Sequence, residues 1–288
     1  MNVIINLNKL SGMTSQQAVT RVKRILGVKK AGHTGTLDPM ATGILLVCLN
    51  EATKISGLLI NMDKQYTARV KLGERTDTQD AQGRVMETKD ISSITHSDIF
   101  DTAMKYKGRI KQIPPMFSAV KIGGEILYKL ARKGIEIERP GRTVEIYEIG
   151  INKIELPFFD MTVLCSKGTY IRTLCEDIGN TLGTGAHLVS LERTAIGSFD
   201  IRDSLSFDEL GSGRDSFYSI DEALSSLKEI ILADEEYKKA KNGMRITCDI
   251  NREFMNNEIV KLKGPTGDLF GIGRVISGCI KIERIMNL

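Results

Sequence analysis

The sequence predicts an α+β protein: a mixed, mostly antiparallel sheet flanked by helices, followed by a small β-rich C-terminal module. Three observations lead there. Residues 64–72 alternate, with Tyr66, Ala68, Val70 and Leu72 on one face, as in a half-buried strand. Residues 143–156 and 158–166 are strand-like runs with only Pro157 between them, and read as paired strands. From Ile230 onward the pattern changes to short strands separated by glycine turns, at 244–250, 259–262 and 270–282.

In chain order, residues 3–7 form a short strand. Residues 11–15 turn, and Thr14 or Ser15 caps the helix that follows. In that helix Val19, Val22, Ile25 and Leu26 make an apolar stripe, Arg21 and Arg24 face outward, and Gly27 ends it. A polar, glycine-rich loop leads to a continuous apolar run at 43–49, the pattern of a buried strand. A helix is expected at 52–60. After the alternating strand, 76–83 is the loop of a hairpin leading to 84–86. Helices are expected at 97–106, 125–132 and 170–182, with a turn at 121–124. The segment from about 105 to 142 is rich in Lys and Arg, is broken by Pro114-Pro115, and by itself reads equally as a basic insertion that grips a phosphate backbone or as a solvated face. Residues 183–185 are a break, 186–199 another strand region, and 203–229 an acidic, serine-rich, partly helical linker. The chain divides into a large domain, 1–229, and the module, 230–288.

The 288 residues, 41% hydrophobic and 26% charged, suit a soluble protein with an ample core. A net charge of +4 is a mild hint of an anionic partner. The five cysteines (Cys48, Cys165, Cys175, Cys248 and Cys279) are odd in number and include no Cys-x-x-Cys, so neither a disulfide framework nor zinc is indicated. Cys48, Cys165 and Cys248 sit in strand-like runs, where a thiol acts as a small hydrophobe. The three histidines, His33, His96 and His187, are too far apart to suggest a metal site. Residues 1–6 lack the features of a signal peptide, and no apolar run is long enough for a bilayer. The expectation is a cytoplasmic protein, free of the membrane, that uses no metal and no cofactor.

Chemistry concentrates in Gly32-His33-Thr34-Gly35-Thr36-Leu37-Asp38-Pro39-Met40-Ala41-Thr42-Gly43. Asp38 is the only acidic residue among the first 50, which also carry Lys9, Arg21, Lys23, Arg24, Lys29 and Lys30. Nearby cations favour a charged carboxylate, so Asp38 is expected to be an anion at neutral pH. Pro39 holds it extended, and the glycines let backbone approach a ligand closely. The loop reads as a rigid presenter of one nucleophile or base to a polyanion. Taken singly, its parts have plainer explanations: a surface turn, a capping aspartate, a structural histidine. A P-loop does not fit, because Gly43 is followed by Ile44-Leu45. Asp77 and Asp80 lack calcium-loop spacing and read as turn residues.

Two further stretches join this loop: Asp63-Lys64-Gln65-Tyr66-Thr67-Ala68 and Ser166-Lys167-Gly168-Thr169-Tyr170-Ile171-Arg172-Thr173-Leu174. Behind them stand residues 75–83, Pro114-Pro115-Met116-Phe117-Ser118-Ala119 and Gly185-Ala186-His187-Leu188. With these motifs in this order, from Lys9 to about Gly197, the chain resembles the TruB family of tRNA pseudouridine synthases. The resemblance implies the pseudouridine synthase fold. It implies an enzyme that flips the uridine at position 55, in the TΨC loop of tRNA, out of its stack and rejoins it to the ribose through carbon. Asp38 then matches the catalytic aspartate, Tyr66 the tyrosine that packs on the flipped base, and Arg172 the arginine paired with Asp38. His33 matches the histidine that holds the disrupted loop, and Leu191 an apolar residue of the pocket. Lys9, Lys64, Lys167 and Tyr170 are further candidates for RNA contact. The T-arm of tRNA is the implied partner, with no obligatory protein partner and a monomeric enzyme expected, and the module looks like a PUA-type RNA-binding domain. Two departures stand out: Leu10 follows Lys9 where the family has proline, and Glu192-Arg193 follows Leu191 where the family has two arginines.

The chemistry agrees with these residues. Moving a base from a C–N to a C–C bond needs no redox equivalent, phosphate or metal. A carboxylate can attack the sugar or the base, or remove a ribose proton, and the sequence leaves all three routes open. An arginine keeps the carboxylate charged and oriented. Stacking on tyrosine, worth roughly 1–3 kcal/mol, offsets part of the unstacking. The alternative is a non-catalytic RNA-binding or tRNA-folding protein on the same fold.

Overall fold

A computed structural model describes residues 1–212, 216–246 and 254–288. The chain begins with β1 (Val3–Lys9), α1 (Ser15–Leu26), β2 (Ala31–His33), β3 (Thr42–Leu49), a 3₁₀ turn (Asn50–Ile55) and α2 (Ser56–Leu59). Then come β4 (Lys64–Leu72), β5 (Glu74–Thr76), β6 (Val85–Thr88), α3 (His96–Met104), β7 (Gly108–Gln112), β8 (Lys121–Ile122), β9 (Glu125–Ile126) and α4 (Leu127–Ala131). The next stretch holds β10 (Arg142–Glu155), β11 (Phe158–Cys165), α5 (Ile171–Thr181), β12 (Ala186–Ile196), β13 (Phe199–Asp200), β14 (Tyr218–Ser219) and α6 (Ile220–Ala223). The chain ends with β15 (Glu229–Ile231), α7 (Asp234–Lys241), β16 (Ile259–Lys263), β17 (Leu269–Ile276) and β18 (Cys279–Ile285).

The main sheet runs β14-β1-β3-β12-β4-β11-β10-β7, with β2 on β3 and β13 on β12. Its strand pairs are antiparallel except β3 with β12, which run parallel at Thr42–Glu192 and Gly43–Arg193. The continuous apolar run of β3 has its reason in burial on both faces. Ile44, Leu46 and Cys48 pack to one side with Ile4 and Ile220, and Leu45, Val47 and Leu49 to the other against Val19 and Val22 of α1. That helix has the cap its sequence promised, a box between Thr14 and Gln17, and ends at Gly27 in the left-handed region. Ile25, placed in its buried stripe, is exposed instead. On the far half of the sheet, Ala68, Val70, Leu72, Met161 and Val163 pack beneath Ile171, Leu174 and Ile178 of α5 and Ile99 of α3. Each such aliphatic chain, fully buried, contributes about 1.5–3 kcal/mol.

Two local readings change. The expected helix at 52–60 divides into the 3₁₀ turn and α2, where Thr53 Oγ1 donates to Asn50 O (2.7 Å) and Ser56 Oγ to Thr53 O (2.9 Å). Such hydroxyls bonding back three residues tighten the turn. Glu125 and Ile126 pair with Lys121 and Ile122 around Gly123-Gly124, so the helix expected from 125 starts at Leu127.

The C-terminal sheet, β15-β16-β17-β18, has its own core of Val260, Leu262, Phe270, Val275 and Ile280. Its other face is not free: Leu269, Ile272 and Met286 share a cluster with Ile4, Ile44 and Ile220 of the large sheet's side. The ammonium groups of Lys261 and Lys263 both reach Asp221 of α6, at 2.5 and 2.9 Å. The strand expected at 244–250 lies largely outside the described residues, as does Cys248; Ile246 bridges Ile280.

At the parallel seam Gly43 has φ +94°, and a Cβ there would lie 2.3 Å from the carbonyl oxygen of Arg193. Gly43→Ala is therefore expected to lower unfolding stability by about 2 kcal/mol or more, through both strain and backbone clash. Urea denaturation checks this, and an unchanged midpoint would contradict it.

Candidate active site

The loop between β2 and β3 has little freedom. Ser15 Oγ, at the start of α1, donates to Leu37 O (3.1 Å) and accepts from Leu37 N (2.9 Å). Gly12 N donates to Pro39 O (2.8 Å), and Ser11 Oγ to Met40 O (3.0 Å). Below the loop, the fully buried Lys9 donates through Nζ to the carbonyls of Leu10 and Met13, both at 2.9 Å, and of Pro39 at 3.4 Å. Lys9 thus holds the loop from beneath. Burial takes its ammonium down to about 8, against the opposing pull of Asp38.

Asp38, in the middle of this pinned loop, meets Arg172 in the first turn of α5. The guanidinium donates from Nη2 to Asp38 Oδ1 (3.1 Å) and Phe117 O (2.9 Å), and from Nη1 to Thr78 O (3.1 Å). Its Nε lies 2.8 Å from Asp38 Oδ2, a charge contact in which the N–H is not aligned on the oxygen. Asp80 Oδ2 stands 3.7 Å from Nη1. The arginine side chain is 4% exposed and the Asp38 side chain 31%, so the carboxylate keeps an open side.

That side faces a chamber of about 360 Å³, a size suited to a small ligand or a single nucleotide. Asp38, Lys64, Tyr66, Tyr170, Arg172 and Leu191 line it, so six of the sequence-predicted residues come together. Tyr66 is half-buried; burial pushes its phenol up, and the Arg193 guanidinium acts in the other direction. Lys64 is buried, with Nζ donating to Ile60 O (2.7 Å) and Met62 O. Burial, then the Arg193 charge, takes it down to about 8. The main chain of Tyr170 is clamped by the buried side chain of Gln112, which accepts from its N–H (3.0 Å) and donates to its carbonyl (3.2 Å). The Tyr170 ring lies under the Arg142 guanidinium at 4.6 Å.

The other predicted residues sit around this chamber. His33 lines a second hollow of about 520 Å³ that shares Asp38 and Arg172 with the first, so the ion pair forms part of the wall between the two. Burial, then the Arg193 charge, lowers the His33 imidazole, which favours its neutral form. Lys167 is exposed, next in sequence to Gly168 of the chamber wall, and donates to Asn61 Oδ1 at 2.7 Å. Arg193, Asp80 and Gln112 were not singled out as site residues. Arg193 had a signal: the period-two alternation of β12 puts it on the same face as Leu191. Among the described residues there is no cluster of three His, Cys, Asp or Glu placed to hold a metal.

A family model described as TruB family pseudouridylate synthase (N terminal domain) matches residues 23–171, and one described as tRNA pseudouridylate synthase B C-terminal domain matches 172–236. The chain belongs to the TruB family of pseudouridylate synthases. It is similar to the tRNA pseudouridine synthase B of Clostridium tetani, 42% identical over 96% of this chain and 100% of that protein. That of Geotalea uraniireducens is 45% identical over 100% and 98% of the two chains, and that of Legionella pneumophila (strain Corby) 42% over 99% and 95%. Among solved structures, a chain in the crystal structure of a Cbf5-Nop10-Gar1 complex superposes with a TM-score of 0.75 at 25% identity, over 98% of this chain and 84% of that one. A chain in an H/ACA RNP bound to a substrate RNA containing 2′-deoxyuridine shares the fold, with a TM-score of 0.74 at 22% identity over 99% and 85%. As a TruB-family member this chain is a pseudouridine synthase, an isomerase.

In this TruB-family chain the buried Lys9 makes stability depend on pH. Its folded value of about 8 lies below the ordinary 10.5, so between the two the unfolded chain binds a proton that the folded chain has released. Stability from this group therefore rises with pH across that window. Lys9→Met is expected to give a shallower rise than the wild type between pH 8 and 10 in denaturant titrations; equal slopes would contradict the buried ammonium.

Proposed function

We propose that this chain isomerises uridine 55 in the TΨC loop of tRNA to pseudouridine, with Asp38 as the catalytic carboxylate. The observation that carries the reading is the Asp38–Arg172 pair, with one side of the carboxylate open to a nucleotide-sized chamber that also holds Tyr66. The names of the full-length relatives supply tRNA as the substrate class.

The reaction breaks C1′–N1, turns the base and forms C1′–C5; C5 gives up its proton to solvent and N1 takes one up, so the product is an isomer. Asp38 begins it as an anion in every route open to a carboxylate: attack at C1′, addition at C6, or removal of a ribose proton. Arg172 orients the carboxylate and balances its charge. Tyr66 packs on the extruded base, with Leu191 completing the apolar wall. His33, in the neighbouring hollow, holds the loop from which the uridine came. Lys167 and Tyr170 meet RNA at the rim, while Lys9 and Lys64 support the site from within. The basic segment 105–142 grips the phosphate backbone, and residues 230–288 serve as a PUA-like RNA-binding module. The enzyme works as a cytoplasmic monomer, without a cofactor or an obligatory protein partner.

Asp38→Asn is expected to bind tRNA nearly as well as the wild type and to form no pseudouridine. Carbodiimide treatment followed by primer extension on T-arm RNA reads this, and a fully active variant would refute the assignment of Asp38. Binding of tRNA is expected to weaken steeply as salt rises, because Lys and Arg displace counterions. A flat response from low to moderate salt in a filter-binding assay would contradict the cationic surface.

A further inference from the structure

We propose that Arg142 holds a backbone phosphate that flanks the nucleotide in the chamber: its guanidinium anchors the phosphodiester while Asp38 and Tyr66 receive the base. The proposal deepens the reading of the chamber as the seat of a flipped uridine, and rests on it.

Arg142 begins β10 and lines the chamber together with Gly168 and Tyr170. Three contacts fix where its guanidinium sits. Its Cζ lies 4.6 Å from the centre of the Tyr170 ring. Its Nη2 donates to Gly168 O. In the β10–β7 register Arg142 stands opposite Gln112, whose buried side chain clamps Tyr170 at both its N–H and its carbonyl. The strand that carries the guanidinium and the ring beneath it therefore share one frame. Gly168 is exposed, so this edge of the chamber borders solvent.

The fork is held in place but not used up. Nη1 donates to no group among the described residues, yet it is not one of the buried unpartnered atoms, so it reaches solvent. Nε is buried and has no partner among the described residues. No carboxylate among them pairs with this guanidinium, whose contacts are a carbonyl and a ring. The other cations of the wall are already engaged. Arg172 meets Asp38, Lys64 ends on the carbonyls of Ile60 and Met62, and Arg193 on those of Ile44 and Gly35.

A guanidinium is a permanent cation whose planar fork matches the oxygens of a phosphate and whose face stacks on an aromatic ring. A carboxylate partner would neutralise it. Here a carbonyl and a ring orient it and leave its charge for a ligand. The anion that a nucleotide of RNA brings with it is its phosphodiester. Such a contact positions the nucleotide without reading its base.

The test pairs a protein change with an RNA change, on the full chain. Affinity for synthetic T-arm RNA is measured by filter binding over a range of salt. The RNA is natural, or carries a neutral methylphosphonate at the phosphate on the 5′ or the 3′ side of uridine 55. Arg142→Gln is expected to bind the natural RNA roughly tenfold more weakly at low salt, the scale of a lost charge-assisted pair. The slope of log affinity against log salt is expected to become shallower by about 1. In the wild type, one of the two methylphosphonates should also cost roughly tenfold. That same methylphosphonate should cost Arg142→Gln little, because the phosphate has already lost its partner. An unchanged affinity, an unchanged slope, or methylphosphonate losses of equal size in wild type and variant at both positions would each overturn the proposal. Arg142→Met keeps the stem against Tyr170 without the charge, and gives the same reading if Arg142→Gln does not fold. Carbodiimide mapping of uridine 55 in the natural RNA separates the two claims. No conversion by the wild type falls on the functional reading itself, whereas conversion beside equal methylphosphonate losses falls on this inference alone.

Discussion

One guanidinium, shared between the Asp38 carboxylate, the Thr78 and Phe117 carbonyls and the neighbouring Asp80, holds the walls of the chamber in register. Those four groups come from three separate segments: the β2–β3 loop, the hairpin after β5, and the basic segment after β7. Arg172 gathers them because it is buried at the start of α5, where the chain leaves the sheet. Removing one partner of such a pair leaves an uncompensated buried charge, a loss of about 3–5 kcal/mol where burial is complete. The carboxylate is the exception to the burial. It keeps one side on the chamber, so the two oxygens that anchor Arg172 also face the space proposed for the nucleotide.

The sheet decides where this happens. β3 and β12 touch in parallel over two residue pairs, in a sheet whose other strand pairs are antiparallel. The seam is where the Asp38 loop enters the sheet as β3, beside the stretch of β12 that carries Leu191 and Arg193. β4 lies on the far side of β12 and supplies Tyr66. The close approach needs glycine at position 43, whose absent side chain makes room for the backbone of Arg193. A chamber at such a seam takes residues from distant parts of the chain without any long excursion of a loop.

Much of this was legible in the residues themselves. The solitary acid among cations marked Asp38, the alternation of β4 put Tyr66 on its inner face, and the two-sided apolar run of β3 announced a buried strand. What escaped was set by contacts across the fold. Arg193 shares the face of Leu191 by alternation, but its charge argued against a buried position, and the carbonyls of Ile44 and Gly35 that receive it come from a different strand and loop. Lys9 and Lys64 looked like RNA contacts because they are cations in the right motifs. Their ammonium groups also end on backbone carbonyls, Lys64 at the chamber wall, and only the folded chain brings those carbonyls within reach. Ile25 fits a helical stripe by spacing, yet that helix turns it toward solvent. The helix expected at 52–60 was broken by hydroxyls bonding to their own backbone, a competition that periodicity does not weigh.

The central claim is that the Asp38 anion, in its chamber with Tyr66, converts a uridine by moving its bond to ribose from N1 to C5. That exchange must release the hydrogen of C5. The most direct measurement is tritium release from transcribed tRNA carrying 5-tritiated uridine. The account predicts one tritium set free per tRNA with the wild-type chain and none with Asp38→Asn. Release that is absent from the wild type, or undiminished in the variant, would contradict it.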